Sequence, residues 1–220
     1  MSRAEEIAAN LADVRSRVEA AARRAGRDPF TVTLLAVTKT KPLEDLLAAY
    51  EAGVRHFGEN RVQEAEAKFP RLPADAVKHL VGPIQSNKAN KAARLADVLH
   101  AVDSADIARR LARAAANEGR RLAVYVEVNT GGEETKAGVA PAEVPDLVAD
   151  VRALPELDLR GLMSIPPPGE TRPHFVALRR LAESLGLSGL SMGMSDDFEA
   201  AIEEGSTIVR VGTALFGRRS

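Results

Sequence analysis

Residues 31–53 read TVTLLAVTKTKPLEDLLAAYEAG and contain the two kinds of element that decide the fold. Residues 31–37 are apolar at nearly every position, and such a continuous run is typical of a strand that is buried on both faces of a parallel sheet. Pro42 then opens a helical stretch that ends at Gly53, with proline at its front and glycine at its back. The segment therefore predicts one β-strand followed by one α-helix.

The same order of strand and helix recurs along the rest of the chain. Further strands are predicted at residues 54–57, 79–81, 98–102, 123–128, 159–165, 190–192 and 208–211. Helices are predicted at residues 43–52, 60–68, 86–96, 104–118, 141–153, 172–185 and 196–204. This alternation predicts an α/β protein with a (β/α)8 TIM barrel, and an open doubly wound sheet is the competing arrangement.

An extra helix is predicted before the first strand. Ser2 and Glu5 have the spacing of a capping box, apolar residues recur at helical intervals behind them, and Gly26 ends the run. We expect residues 1–220 to form a single domain, because this length suffices for one substantial core and contains no convincing linker.

Composition excludes several kinds of site. The chain has 30 Lys and Arg against 31 Asp and Glu, which gives no electrostatic reason to expect nucleic acid or an anionic membrane as partner. It contains no cysteine, so disulfides, thiolate zinc sites and cysteine nucleophiles are excluded. The four histidines have no metal-ligand spacing, and we expect structural roles for them and no metal. The amino-terminal segment does not resemble a signal peptide and no segment has the apolar length of a membrane span, so a cytoplasmic protein is expected.

A lysine follows the first predicted strand. If side chains alternate, Lys39 shares a face with Leu35 and Val37 and is directed into the barrel. Apolar surroundings favour the neutral form of a lysine amine, and a neutral amine is what Schiff-base formation with an aldehyde requires. The alternative is a lysine that faces solvent just past the strand, which position alone favours, and Lys41 is expected to be one.

Polar residues also follow the second and third predicted strands. Asn60 offers an amide to a ligand, although its position suits the N-cap of the next helix equally well, and position alone favours capping. Ser86 or Asn87 is expected to cap the helix after the third strand. These positions indicate a ligand site only when they are considered together with the residues at the other strand ends.

Small and hydroxylated residues follow the last two predicted strands. Met194 and Ser195 stand at one strand end, and Gly212 and Thr213 stand at the other. Small residues let backbone N–H groups approach a ligand, and TIM barrels often bind phosphate with these two loops. We therefore predict a phosphate site here, and two ordinary capped turns are the alternative.

Charged residues adjoin this predicted phosphate site. Asp196 and Asp197 would repel a phosphate unless they point away from it. Arg210 lies inside the apolar run IVRVGT, and since a guanidinium does not lose its charge, its burial needs a partner. A carboxylate such as Glu127 and a heteroatom of a ligand are both candidates.

Six motifs of the chain resemble those of the pyridoxal phosphate homeostasis protein family. They are AVTKTKP, HFGEN, HLVGPIQSNK, GLMSIP, SMGMSDDFEAAI and VRVGTALFG, and they follow in order along essentially the whole chain. None is specific alone, but together they are highly specific. The family shares its fold with the N-terminal barrel of alanine racemase, so the resemblance implies a barrel that binds pyridoxal 5'-phosphate (PLP).

The resemblance also implies which residues contact this cofactor. They are Lys39, Asn60, Met194, Ser195, Arg210, Gly212 and Thr213. It implies that Lys39 forms a Schiff base with PLP beside Asn60, that the residues after the last two strands hold the phosphate, Met194 through its backbone, and that Arg210 faces the pyridine nitrogen. A permanent cation there disfavours protonation of the ring nitrogen and makes the cofactor a weaker electron sink. Lys136 matches a lysine that is linked in relatives to a second cofactor contact.

The same residues are compatible with a carrier function and with an enzyme function. Racemisation needs a base on each face of the substrate, and in alanine racemase one base is a tyrosine from a C-terminal β domain. Neither Tyr50 nor Tyr125 is positioned like that base, so we expect a monomeric PLP carrier in cofactor homeostasis, with PLP-requiring apoenzymes as candidate partners and no turnover of its own. A PLP-dependent racemase-like enzyme is the first alternative, and a Schiff-base aldolase for phosphorylated sugars is the second.

Overall fold

A computed structural model describes residues 1–133 and 137–217 of the chain. Within these ranges eight parallel strands pair in sequence order, and the last strand pairs with the first, which closes a barrel. The strands are β1 (Thr33–Val37), β2 (His56–Glu59), β3 (Val77–Leu80), β4 (Val98–Val102), β5 (Leu122–Glu127), β6 (Leu157–Met163), β7 (Gly189–Met194) and β8 (Ile208–Val211). The predicted TIM barrel is confirmed, and the pairing of β1 with β8 excludes an open sheet.

Helices surround the barrel, and one or more follow each strand. Over the described ranges the α-helices are α1 (Arg3–Arg24), α2 (Leu43–Glu51), α3 (Val62–Lys68), α4 (Ala89–Leu95), α5 (Ala105–Asn117), α6 (Val144–Arg152), α7 (Arg172–Ser184), α8 (Phe198–Glu203) and α9 (Thr213–Phe216). None of these helices has the combination of length and apolar character that crossing a membrane requires.

Several strands differ from their predicted bounds, and for two of them the reason is identifiable. β1 begins two residues late, because Pro29–Thr31 forms a 3₁₀ turn in which the Asp28 carboxylate accepts the Phe30 N–H at 3.0 Å. β2 extends to Glu59, beyond the predicted end at residue 57. A glutamate completes a buried strand here because its carboxylate accepts hydrogen bonds from Thr38, just after β1, and from Lys68 in α3.

Two expected helix caps are wrong. The N-cap of α3 is Arg61 and not Asn60, and the N-cap of α4 is Lys88 and not Ser86 or Asn87. Neither N-cap residue makes a side-chain cap hydrogen bond. A 3₁₀ turn precedes α4 directly, so the chain is already helical where a capping side chain would act.

The predicted amino-terminal helix α1 is present and packs against the outer helices of the barrel. Its capping box is complete, with the Ser2 hydroxyl accepting the Glu5 N–H and the Glu5 carboxylate accepting the Ser2 N–H. The helix packs against α2, α8 and α9. Arg3 donates to Asp45 of α2 and to the carbonyl of Phe216 in α9, both at 2.7 Å. The helix therefore links α2, which follows β1, to α9, which follows β8.

The core has two apolar parts, as expected for a barrel inside a ring of helices. The larger lies between strands and helices, and its largest fully buried side chains include Phe57, Phe69, Phe175 and Phe198. The smaller lies within the barrel and consists of Leu35, Val81, Ala101, Tyr125, Met163 and Ile208. Buried polar side chains share the barrel interior with this smaller cluster, and several of them approach the carboxyl ends of the strands.

Candidate functional site

A pocket of about 250 Å³ opens at the carboxyl ends of the barrel strands. All seven residues that the sequence predicts as ligand contacts line it: Lys39, Asn60, Met194, Ser195, Arg210, Gly212 and Thr213. The pocket is also lined by residues that were not predicted from the sequence, among them Gly82, Pro83, Ile165 and Asp196. The volume is close to the lower end of the range of about 300–1,000 Å³ that is usual for small-molecule sites.

Lys39 lies at the mouth of the pocket. Leu35 is fully buried inside the barrel, Val37 is half-buried and lines the pocket, and Lys39 is exposed. The exposure of the side chains on this face therefore increases from the barrel interior to the pocket mouth. The expectation of apolar surroundings for the lysine amine is therefore wrong. The amine is accessible to a ligand that enters from solvent.

The backbone on both sides of Lys39 is held in place. The Thr38 hydroxyl donates to Glu59 at 2.6 Å, and the Thr40 N–H donates to Glu64 at 2.8 Å. Thr40 has a φ of 65°, a left-handed conformation that a β-branched residue adopts only when its surroundings impose it. The strand end therefore presents Lys39 from a constrained position.

A buried ion pair lies directly behind this strand end. Lys68 donates to Glu59 at 2.8 Å and to the Thr38 carbonyl at 3.0 Å. Glu59 is 0% exposed, and its Oε2 has no hydrogen-bond partner among the described residues. Burial raises the pKa of the Glu59 carboxyl, although the hydrogen bonds from Lys68 and Thr38 act in the opposite direction.

Lys41 does not face solvent freely as expected. It is half-buried, and its amine donates to the carbonyls of Phe216 at 3.2 Å and Gly217 at 3.3 Å. These carbonyls end the short helix α9, so Lys41 ties the segment after β1 to the segment after β8. Lys136, the other lysine implicated by the resemblance, lies outside the described residues.

Asn60 and Gly82 form one side of the pocket. Asn60 is half-buried and, having no role as a cap, is available to a ligand. A Cβ atom at Gly82 would lie 2.3 Å from the Asn60 carbonyl oxygen, so only glycine lets the two loops approach this closely. The dipeptide Gly82–Pro83 at a strand end was the available sequence signal for this loop.

Ser195 joins the ends of β7 and β8. Its hydroxyl oxygen accepts the backbone N–H groups of Gly212 and Ala214, each at 3.2 Å. Thr213 is exposed beside them and lines the pocket. The geometry brings a serine hydroxyl, a threonine hydroxyl and a glycine turn to one corner, and such groups suit a phosphate.

The two acidic residues that follow Ser195 behave differently. The Asp197 carboxylate accepts the Met194 N–H at 2.6 Å and does not line the pocket. The Met194 amide predicted to help hold a phosphate therefore already has a partner. Asp196 is exposed and lines the pocket, so it opposes a phosphate at that corner. The expectation that such acids must point away is met by Asp197 alone.

Arg210 is a buried cation of the pocket wall. It is 4% exposed and donates to the Ser191 carbonyl at 2.6 Å, the Ser191 hydroxyl at 2.8 Å and the Ser164 carbonyl at 2.8 Å. No carboxylate of the described residues lies within ion-pair distance of it. Burial lowers its pKa to about 10, against the attraction of Glu127 and Asp197, so Arg210 is charged at neutral pH. Neutral oxygen atoms are thus its direct partners.

Glu127 is a buried carboxyl of the same wall. It is 5% exposed, and its Oε2 has no hydrogen-bond partner among the described residues. Its pKa is raised to about 7, mainly by burial and also by Asp103, while Arg210 acts in the opposite direction. A buried, unpaired carboxyl that lines a pocket is typical of a ligand site. From the sequence, Glu127 was predicted only as a candidate partner of Arg210.

The chemistry of these residues suits a small phosphorylated aldehyde with a polar ring. Lys39 supplies an accessible amine, the corner at Ser195 supplies donors for a phosphate, and Arg210 supplies a fixed donor for a ring heteroatom. Two features oppose this fit: the Asp196 carboxylate lines the pocket, and the N–H groups of Met194 and Gly212 already donate to Asp197 and Ser195.

Comparison with known proteins identifies the family. The family model "Alanine racemase, N-terminal domain" matches residues 9–220. The pyridoxal phosphate homeostasis protein of Pseudomonas aeruginosa is 49% identical over 97% of this chain and 96% of the relative. This chain belongs to the pyridoxal phosphate homeostasis protein family. The member from Escherichia coli K12 is 44% identical over 97% of each chain, and the resemblance carried by the six motifs is confirmed.

Solved structures agree with this membership of the pyridoxal phosphate homeostasis protein family. PipY from Synechococcus elongatus, described with PLP bound, is 41% identical, has a TM-score of 0.84 and matches 96% of this chain and 100% of its own. Alanine racemase from Corynebacterium glutamicum is 20% identical, has a TM-score of 0.72 and matches 98% of this chain but 61% of the racemase. The racemase comparison shows a shared barrel fold alone.

Proposed function

We propose that this family member binds PLP in the strand-end pocket as a Schiff base on Lys39 and serves as a cytoplasmic, monomeric carrier in PLP homeostasis. One observation carries the proposal: a lysine, a buried arginine and a phosphate-type corner, all predicted separately from strand ends, line a single pocket. PLP-requiring apoenzymes are the partners to which such a carrier would deliver its cargo.

Each proposed contact follows from the chemistry of its residue. The Lys39 nitrogen attacks the aldehyde carbon, the carbonyl oxygen leaves as water, and a C=N bond forms. Arg210 has donors only and remains charged, so a ring nitrogen facing it is an acceptor and stays unprotonated. Ser195, Gly212 and Thr213 hold the phosphate. When bound, the cofactor supplies the electrophilic aldehyde and an electron-accepting ring.

Replacing Lys39 by alanine is expected to abolish the visible absorption of the PLP-loaded protein. The parent should show a Schiff-base band, and borohydride reduction should leave the cofactor attached after denaturation, since the reduced C–N bond does not hydrolyse. The variant should retain no cofactor after the same treatment, measured by absorbance and intact mass. Lys41→Ala is the matched control and should keep the covalent bond. A parent that stays colourless with added PLP would contradict PLP binding and favour the phosphosugar aldolase.

Carriage is favoured over racemisation because neither tyrosine reaches the pocket. The Tyr50 hydroxyl donates to Asp75 at 2.6 Å on the outside of the barrel, and Tyr125 is buried with its ring stacked 4.9 Å from that of His100. We therefore expect PLP-loaded protein to reactivate a PLP-requiring apoenzyme without exchanging the α-hydrogen of L-alanine for deuterium, followed by NMR. Exchange at a rate above that of free PLP would contradict the carrier proposal and favour a racemase-like enzyme.

A further inference from the structure

Three histidines form a hydrogen-bonded row across the barrel interior. His56 Nδ1 lies 2.9 Å from His79 Nε2, His79 Nδ1 lies 2.9 Å from His100 Nε2, and His100 Nδ1 lies 2.9 Å from the Ser191 hydroxyl oxygen. Ser191 in turn meets Arg210 Nη1 at 2.8 Å. We name His56, His79, His100 and Ser191 the histidine file. It begins at half-buried His56, where β2 starts, and ends at the pocket wall.

Arg210 fixes the direction of every hydrogen bond in the histidine file. A guanidinium has donors and no acceptor, so the Ser191 oxygen accepts from Arg210 and its own hydrogen must go elsewhere. Among the described residues, His100 Nδ1 is the acceptor within reach of that hydrogen. His100 then carries its hydrogen on Nε2 and donates to His79, which donates in the same sense to His56. One tautomer is thereby imposed on all three rings.

The file requires neutral histidines. An imidazolium has two donors and no acceptor, so a charged ring in the middle of the file would oppose a neighbouring donor. His79 and His100 are 1% and 0% exposed. Burial is the main cause that lowers the pKa of His79 to about 3 and that of His100 well below its ordinary value, and the nearby Arg210 adds to the second effect. The file thus supports Arg210 without bringing a negative or positive charge to it.

We propose that the histidine file positions Arg210 against the ring of the bound cofactor, an inference that rests on the proposed function. Ser191 and the histidines do not line the pocket, whereas Arg210 does, so they act through it. Ser191 holds Nη1 through both its carbonyl and its hydroxyl, and the Ser164 carbonyl holds Nη2. The guanidinium plane is therefore fixed by neutral acceptors, and no carboxylate of the described residues pairs with it directly.

The test compares three serine variants of the PLP-loaded protein. Ser191→Ala removes the hydroxyl that links Arg210 to His100, and Ser191→Thr restores a hydroxyl at the same position. Ser206→Ala is the matched control, because the buried Ser206 hydroxyl donates to main-chain carbonyls between β7 and β8 and does not contact Arg210. Two quantities are measured: the histidine tautomers by ¹⁵N NMR, and the dissociation constant of PLP by absorbance titration.

We expect the parent and Ser206→Ala to show three neutral rings protonated on Nε2 at pH 7. Ser191→Ala should lose this pattern at His100 and raise the PLP dissociation constant about tenfold, as for one lost hydrogen bond to a charged group. Ser191→Thr should restore both values. Rings that are protonated on Nδ1 or charged in the parent would contradict the hydrogen-bond directions of the histidine file. An unchanged dissociation constant in Ser191→Ala would contradict its role in positioning Arg210. The NMR pattern is measurable without PLP, so failure of PLP binding is distinguishable from failure of the file.

Discussion

Replacing Lys68 by methionine is expected to lower the free energy of unfolding by about 3–5 kcal/mol at pH 8. The side chain of Lys68 is 12% exposed and that of Glu59 is 0% exposed, and they are joined at 2.8 Å. Methionine fills a similar volume but leaves the Glu59 carboxylate buried with the Thr38 hydroxyl as its remaining partner. Urea unfolding of parent and variant at pH 8 and pH 5 measures the loss.

The loss should depend on pH in one direction. The pKa of Glu59 is raised by burial and held down by Lys68, so removing Lys68 raises it further. Since the unfolded carboxyl ionises near its ordinary value of 4.5, the variant loses progressively more stability as the pH rises above that value. The loss at pH 5 should therefore be clearly smaller than at pH 8.

Two controls separate this effect from the loss of any lysine. Lys68→Met combined with Glu59→Gln leaves no buried charge and should recover most of the loss. Lys91→Met breaks an ion pair with Glu66 that is 2.7 Å long but partly exposed, and it should cost at most about 1 kcal/mol. Equal losses in Lys68→Met and Lys91→Met would contradict the burial argument.

Replacing Glu127 by glutamine is expected to raise the free energy of unfolding at pH 8. A carboxyl whose pKa rises from 4.5 to about 7 on folding disfavours the folded state by up to about 3 kcal/mol once it is ionised in both states. Glutamine has nearly the same shape and no charge, so the variant should be more stable by about 1–3 kcal/mol. The sign follows from burial outweighing the attraction of Arg210.

This gain should disappear in acid. Below the ordinary value of 4.5 the Glu127 carboxyl is protonated in both states, and parent and variant should unfold at the same urea concentration at pH 4. Exposed Glu118→Gln serves as the control for an equal change in net charge. A gain that persists unchanged at pH 4, or a loss at pH 8, would show that Glu127 is not the buried, unpaired carboxyl described here.

The order of elements was predictable because each βα unit carries its own local signals. The run at residues 31–37, with Pro42 and Gly53 around the next helix, identifies a buried strand and a helix without tertiary information. The predicted ends of strands were wrong where tertiary contacts override these local signals. The second strand was predicted to end at residue 57, but Lys68 makes the burial of Glu59 tolerable and β2 extends to that residue.

The pocket lining was predictable for residues that stand at strand ends, since parallel strands of a barrel end on one face. Lys39, Ser195 and Gly212 meet there as expected. The histidine file was not predictable, because its contacts join positions as far apart as His100 and Ser191, 91 residues along the chain. Only the register between strands brings such residues together, and spacing in sequence does not contain that register.

The contacts of α1 with the segments that follow β1 and β8 bear on how the barrel opens in solution. Arg3 and Lys41 both hold the Phe216 carbonyl, so separating β1 from β8 must break these bonds and the packing of α1 together. We therefore expect the segments that carry Lys39 and Gly212 to open together, with their amide hydrogens exchanging as a single cooperative unit. Under the proposed function, a ligand held on Lys39 would leave by hydrolysis and diffusion through the mouth of the pocket, without separation of β1 from β8.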